Sequence, residues 1–440
     1  MKFDFKKTIF FLIIFLLIIV IFSISLKVSL VGFLILSSFY MYIIISFLII
    51  YYTYPNIEAS PPFPKKAPTV AVITYGYNDF KPIIKTVESL KKLKYPIPFN
   101  IYVITDGTCS FLKKFKNVKL IPVDKKYFQK GRNIKAEIMN EGLKKITEEN
   151  LFCVDGDTLA NENALMEMTP FLRDKVASVN SLLVPQNTNS FFEKVQLFEY
   201  HINWGMSLRI LSSMNSISIP VGGMFIIKNK VFKELKGYDV NNITEDRELG
   251  YRLLEKGYSI KFTSVAKSYT QTPFNLKEWS KQRMRWSRGE LATIYKHKHF
   301  LFNKKLGFFG TFTLPVTFLL QTLGISMAFG LIFNFFSRTF VAYYYLFLEF
   351  IKSGVFWITL PKFTYFYFPS TLLLVLVSTV FFMLYSINAF SLSNFKFKLK
   401  HLFPFIIFST CYVFLIGAVY IVAIFLEMIN YRLPIFKRET

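Results

Sequence analysis

Leu151-Phe152-Cys153-Val154-Asp155-Gly156-Asp157-Thr158 is the stretch on which the reading of this chain turns. Four apolar residues followed at once by a turn read as a buried strand ending at the lip of a sheet. Alternation sends Asp155 and Asp157 to the same side, and Gly156 lets the backbone turn while something bulky comes close. Carboxylates so near each other repel, and such a pair usually shares a cation with its ligand. Hard oxygen donors suit Mg²⁺ or Mn²⁺, ions that divide themselves between carboxylates and substrate phosphates. Alone, an Asp-Gly-Asp is more often a solvated turn, so its company elsewhere must decide.

Outward from this strand, the pattern is that of an α/β domain. Val70 to Thr74 is a short apolar strand, and Asp79 to Leu93 places Ile83, Ile84, Val87, Leu90 and Leu93 on one helical face. Asn100 to Thr105 is a second strand, running into Asp106-Gly107-Thr108, and Val118 to Val123 is a third. Lys130 to Thr147 reads as a helix leading into the Asp155 strand. This alternation predicts a parallel sheet with helices on both faces, and ligands then sit at the carboxyl ends of the strands. Asp106, Asp155 and Asp157 are therefore expected at one cleft. Farther on, Val176 to Val184 and Met224 to Ile227 look like strands, the latter preceded by Val221-Gly222-Gly223. Helical periodicity returns over Glu245 to Lys256 and over Leu276 to Tyr295. The last of these is amphipathic and rich in Arg and Trp, a composition suited to a membrane surface.

The bulk numbers point to lipid as well. Of 440 residues, 52% are hydrophobic and 18% aromatic, more than a purely soluble chain carries. A formal net charge of +25 suits anionic headgroups or phosphate-bearing substrates; nucleic acid is not expected as a partner. The three cysteines, Cys109, Cys153 and Cys411, are too scattered for a zinc site or a disulfide framework. Thr8 to Leu26 and Val28 to Tyr52 are uncharged apolar runs of spanning length behind Lys2, Lys6 and Lys7, which places the N-terminus on the cytoplasmic side. Leu306 to Phe336, Phe366 to Phe390 and Leu402 to Met428 are further candidate spans. Phe340 to Leu360, interrupted by Glu349 and Lys352, reads either as another span or as an interfacial helix. The expected organisation is a transmembrane hairpin over 1–53, a proline-rich linker over 54–68, a catalytic α/β domain over 69–275, interfacial helices over 276–305, a membrane bundle over 306–430 and a basic tail over 431–440.

Two further motifs bear on chemistry. Thr244-Glu245-Asp246 opens a helix with Thr244 at the cap, where a carboxylate can face a cleft and accept a proton, although first turns favour acids in any case. Gln282-Arg283-Met284-Arg285-Trp286 puts Gln282, Arg285 and Trp286 on one side of its helix. Arginine offers a forked donor to phosphate oxygens and tryptophan a flat face for a sugar ring.

Taken together and in order, Tyr77-Asn78-Asp79, Thr105-Asp106-Gly107, Asp155-Gly156-Asp157, Thr244-Glu245-Asp246 and Gln282-xx-Arg285-Trp286 resemble the processive, membrane-bound branch of glycosyltransferase family 2, which includes cellulose, chitin, poly-N-acetylglucosamine and hyaluronan synthases. The match spans about residues 70 to 290. The resemblance implies a GT-A-type, Rossmann-like α/β catalytic domain, cytosolic and inserted between transmembrane helices of the cell membrane, that uses a UDP-sugar with Mg²⁺ or Mn²⁺. It implies that Tyr77 stacks on the uracil, with Asp79 nearby and Asp106 bonding the base. Lys135 and Asn140 would lie beside the donor, and Asp155 and Asp157 would hold nucleotide and metal. Asp246 would be the general base, with Glu245 beside it. Gln282 and Arg285 would hold the diphosphate, Trp286 would meet the acceptor sugar, and Gly222 and Gly223 would lie at the acceptor end. The implied activity is inverting polymerisation of a UDP-GlcNAc or UDP-Glc type donor into an exported β-linked polysaccharide; transfer of a single sugar to a lipid acceptor is the alternative. Two departures are visible: Tyr75-Gly76-Tyr77-Asn78-Asp79 lacks the family's proline and shortens its acid, and Glu137 stands at a glycine position of the donor-side segment.

Overall fold

The computed structural model describes residues 4–27, 29–53, 60–76, 81–106, 115, 117–124, 132–354 and 369–431. Helices α1 (Phe5–Lys27) and α2 (Ser29–Thr53) come first. The α/β region then runs β1 (Val70–Gly76), α3 (Lys81–Leu90), β2 (Asn100–Thr105), β3 (Val118–Pro122), α4 (Ile134–Leu143), β4 (Asn150–Val154), β5 (Thr158–Ala160), α5 (Ala164–Met168) and β6 (Val176–Pro185). It continues with α6 (Phe191–Glu199), a π-helical stretch Tyr200–Ser207, α7 (Leu208–Ser213), β7 (Met224–Lys228), α8 (Asn229–Glu234), α9 (Glu245–Glu255), β8 (Ser259–Thr270) and α10 (Leu276–Lys296). Beyond it lie α11 (Leu314–Leu319), α12 (Ile325–Ser353), α13 (Pro369–Leu392), α14 (Leu402–Thr410) and α15 (Tyr412–Met428).

The described strands form one sheet in the order β3-β2-β1-β4-β7-β6-β8-β5. β1 lies parallel to β2 and β4, with Thr74 opposite both Val103 and Val154. Its alternate residues serve opposite layers. Ala71 and Ile73 pack with Leu151 and Cys153 against Ile138 of α4 and Leu249 of α9. Val70 and Val72 pack with Phe152 and Val154 against Leu90 of α3 and Leu165 of α5. A strand covered on both faces needs such a continuous apolar run, so this half of the sheet was visible in the sequence.

The other half corrects the expectation of an all-parallel sheet. β7 runs antiparallel to both β4 and β6, and β5 runs antiparallel to β8. An apolar pentapeptide such as Met224–Lys228 looks alike in either direction, and its pairing is decided by remote chain. The sequence pattern also missed β5, β8 and the helical run from Phe191 to Ser213. In β8, Lys261 and Lys267 interrupt the apolar signal, and a register shift against β6 between Ser181 and Leu182 breaks the alternation.

The flanking helices differ from expectation too. Of the stretch Phe340 to Leu360, residues 340–353 continue α12, which runs unbroken from Ile325 to Ser353, and residues 355–360 lie outside the described residues. Leu306 to Phe336 is not one helix, because π-helical turns at Phe309–Thr313 and Leu320–Gly324 bracket α11, whose second residue is Pro315. Among the described residues no single helix is long and apolar enough to cross a membrane. One pair, Leu399–Thr410 with Tyr412–Met428, has the length and composition together but bends by 42°. These helices are nonetheless pinned to the α/β region. Glu427 of α15 accepts from Arg288 of α10 at 2.5 Å and also from Lys7 of α1, and Asn430 donates to Thr8 at 2.8 Å.

Candidate active site

The site grows from three strand ends. β4 stops at Val154 and β1 at Gly76, and β7 starts at Met224, antiparallel, so the carboxyl ends of the first two meet the start of the third. The Asp155 amide donates to the Gly223 carbonyl at 3.1 Å and the Thr158 amide to the Asp155 carbonyl at 3.0 Å, closing the turn. Thr86 of α3 steadies the turn from outside through a 3.0 Å bond to the Gly156 carbonyl. Gly156 is there for space: a Cβ on it would lie 2.5 Å from the Tyr75 carbonyl oxygen.

The acid of β4 meets the acids of α9 across a single ammonium. Lys135 on α4 reaches Asp155 Oδ1 and Glu245 Oε1, each at 2.9 Å, with its Nζ 4.9 Å above the Tyr75 ring. Asn133 caps α4 by accepting from the Ala136 amide at 3.2 Å, while its amide group donates to Glu245 Oε2 at 2.7 Å and to the Asn242 carbonyl at 3.0 Å. Asp246 completes the group, since a Cβ built on Gly222 would stand 2.9 Å from Asp246 Oδ2 and 3.6 Å from Asp155 Oδ2. Both carboxylates thus reach one point. A small concavity lies among Tyr75, Lys135, Asp155, Gly222, Glu245 and Asp246.

The electrostatics follow from this packing. Burial, with Asp157 and Glu245 close by, pushes the Asp155 carboxyl up to about 6 despite Lys135. Burial and the neighbouring Glu245 raise Asp246 as well. Glu245 goes the other way: burial opposes its ionisation, but Lys135, with Arg285 adding to it, holds it below the usual range. Lys135 itself is raised well above a free lysine, because Asp155 and Glu245 outweigh its desolvation. Two adjacent carboxyl groups are thereby pushed apart in proton affinity, a pattern that assigns different roles to like groups.

α10 seals the cluster. Gly289 lets it approach Thr244 so closely that a Cβ there would meet Thr244 Oγ1 at 2.3 Å. Arg247 pairs with Glu290 at 3.1 Å and Asn242 donates to Thr293 at 2.9 Å, joining α9 to α10. On this helix Arg285 is exposed, and Gln282 and Trp286 are half-buried.

Tyr77 and Asp79 lie outside the described residues. Asp106 is buried at the end of β2, and Asp157 is half-buried beyond the turn. The Asn140 side chain clamps the Tyr238 backbone, donating to the carbonyl and accepting from the amide, each at 2.8 Å. Thr244 occupies the cap position of α9 without capping it, because its hydroxyl turns to Asn242 Oδ1. Among the described residues no three or more His, Cys, Asp or Glu side chains gather as a metal cage.

The family model "Glycosyl transferase family group 2" matches residues 151–430. The chain belongs to glycosyl transferase family group 2. Poly-β-1,6-N-acetyl-D-glucosamine synthase of Staphylococcus aureus (strain COL) is 29% identical over 220 residues, covering 48% of this chain and 52% of that protein. The corresponding synthase of Staphylococcus epidermidis is 28% identical over 222 residues, with the same coverage. The matched part is thus about half the length of these curated relatives. Among solved structures, the mannosyltransferase PcManGT from Pyrobaculum calidifontis, in complex with GDP-Man and Mn²⁺, superposes with a TM-score of 0.54 at 15% identity, covering 82% of this chain and 97% of that one. At that identity the likeness speaks for the fold, a GT-A-like architecture with a mixed sheet.

Several residues that shape the site of this group 2 glycosyltransferase escaped sequence reading. Tyr75 was seen only as part of a departure from the family motif. Asn133 carried a helix-cap signal but none for its bonds to Asn242 and Glu245, more than a hundred residues away. Arg283 stands between Gln282 and Arg285, yet its burial against Glu199 and Tyr412 has no local sign.

Proposed function

We propose that this chain is an inverting, metal-dependent synthase that polymerises a UDP-N-acetylglucosamine type donor into a β-linked polysaccharide and passes the product through flanking membrane helices. The observation that carries the reading is the convergence of Asp155, Glu245, Asp246 and Lys135, drawn from three elements, on one concavity. The similarity to poly-N-acetylglucosamine synthases supports the donor class. The uncharged runs Thr8–Leu26 and Val28–Tyr52, together with the bent pair near the C-terminus, support a multi-pass protein of the cell membrane with its catalytic domain on the cytoplasmic side.

In this reading an acceptor hydroxyl attacks the anomeric carbon as the bond to the diphosphate breaks. The electron pair leaves with UDP, and the hydroxyl proton passes to Asp246. One displacement with one base inverts the anomeric centre. Asp155 and Asp157 would hold Mg²⁺ or Mn²⁺, which when bound supplies positive charge to the leaving diphosphate. Lys135 and Arg285 add fixed positive charge on the same side, where Gln282 can donate hydrogen bonds. Tyr77, Asp79 and Asp106 are assigned to the nucleoside, and Trp286, Gly222 and Gly223 to the acceptor.

A base must be unprotonated to act, and burial raises Asp246 above the ordinary aspartate range. The acid limb of kcat/KM is therefore expected above that range, with activity lost as pH falls through it. A pH profile still flat at the ordinary aspartate value would remove Asp246 from the role. For the reaction itself, membranes carrying the chain are incubated with radiolabelled UDP-N-acetylglucosamine or UDP-glucose and Mn²⁺. Labelled polymer is the expected product; UDP release without polymer contradicts processivity, and label in the organic phase identifies a lipid acceptor.

A further inference from the structure

We propose that Trp204 is a specificity-determining residue: with Trp286 it forms an aromatic corner that receives the N-acetyl group of the acceptor sugar. The inference rests on the synthase reading above and deepens it. Trp204 stands in the π-helical stretch Tyr200–Ser207, and π turns inside helices recur at functional sites. Its ring meets Trp286 at 5.9 Å and 77°, so the two planes form an inside angle instead of a stack. Tyr200 adds a third ring 6.5 Å from Trp204. Both tryptophans stay half-exposed while Tyr200 is buried, so the corner opens outward over a filled base.

The corner lies within electrostatic reach of the acid cluster, since Arg285 beside Trp286 acts on Glu245 and Asp157 acts on Tyr200. Trp204 packs against the apolar layer that contains Leu183 and Val221, and Gly223 approaches Leu183 so closely that a Cβ there would lie 2.6 Å from its Cδ1. The Tyr200 phenol, pushed up to about 12 chiefly by burial, also feels Arg283, Glu199 and Asp157. The second wall is held rigidly. The Arg283 guanidinium lies 4.1 Å over the Trp286 ring, pairs with Glu199 and bonds Gln282 Oε1 at 3.1 Å. Tyr412 of α15 donates to the same Glu199 at 2.6 Å and accepts from Trp279 at 2.7 Å. Arg283, Glu199, Tyr412 and Trp279 are buried and bonded to one another, so Trp286 has little freedom to turn.

A lone tryptophan face suffices for the apolar side of any hexose ring. A second ring at a steep angle adds contact for an apolar group projecting from the edge of the sugar, and the methyl of an equatorial acetamido group is such a group. The corner therefore favours an N-acetylated acceptor over its plain hexose counterpart.

The test uses the full chain in detergent with UDP-N-acetylglucosamine as donor and a β-1,6-linked tetrasaccharide of N-acetylglucosamine or of glucose as acceptor. Trp204→Ala is expected to raise KM for the acetylated acceptor roughly tenfold, the worth of a small apolar contact, much more than it lowers kcat. The preference over the glucose tetrasaccharide should vanish, and Trp204→Phe should recover part of it. An unchanged acceptor preference overturns the proposal. So does an equal fall in kcat for both acceptors with a lowered unfolding temperature, which marks Trp204 as structural. Titrating tryptophan fluorescence with the acetylated tetrasaccharide in the absence of donor separates the two readings. If the wild-type chain transfers no sugar, the synthase reading fails, whereas quenching that is equal in wild type and Trp204→Ala overturns the corner on its own.

Discussion

Asp246→Asn is expected to lower kcat by a factor of about 10² to 10⁴, the usual contribution of a positioned base, while the protein folds and binds donor. Asparagine keeps the shape of the side chain and the oxygen that accepts from the Arg247 amide at 2.8 Å. It removes the group that takes the acceptor's proton. The replacement leaves the ion pairs of Lys135 with Asp155 and Glu245 in place. Ionised Asp246 is held in a buried site beside another carboxylate, which raises its pKa and opposes folding above that pKa. Replacing it should therefore leave thermal stability equal or higher. The measurements are single-turnover transfer, calorimetric titration with UDP and a melting curve. Full retention of transfer would end the assignment of Asp246, and weakened UDP binding would move it from the acceptor to the donor.

Gly156→Ala carries the second large expectation. The new Cβ would lie 2.5 Å from the Tyr75 carbonyl, a backbone atom of a central strand with no rotamer to escape into. Relief requires the ends of β1 and β4 to separate, and overpacking of this kind costs about 1–3 kcal/mol. The kinetic effect should be larger than the stability effect. A shift of about 1 Å in a reacting group can cost roughly 10²-fold, and this turn carries both Asp155 and Asp157. A fall of that order in kcat/KM with a modest drop in melting temperature is expected. A solvated turn with no role would accept alanine almost silently, so normal activity in this variant would undo the assignment of the Asp155 turn.

These expectations rest on packing that only partly announces itself in sequence. β1, β2 and β4 were legible because strands buried on both faces must be apolar throughout, and their ends carry Asp106 and Asp155 in plain view. β8 was not, since Lys261 and Lys267 break the apolar pattern of a strand whose partner lies about eighty residues earlier. Asn140 illustrates the limit for single residues: its motif suggested donor contact, while the positive φ of Gly237 brings the backbone at Tyr238 onto both of its polar atoms. Toward the C-terminus, composition announced apolar helices but not the π turns around α11 or the bend at Cys411.

What the sequence determined by itself was the inventory: which segments are apolar enough to be buried, and which acids, arginines and tryptophans stand at their ends. Local propensity and periodicity act over a few residues, and so they are written locally. The tertiary structure alone decided the meetings of Lys135 with Glu245, of Gly222 with Asp246, and of Arg283 with Glu199. Each joins residues about twenty to more than a hundred positions apart, and such contacts form only after the folded sheet has offset the loss of chain freedom needed to bring them together.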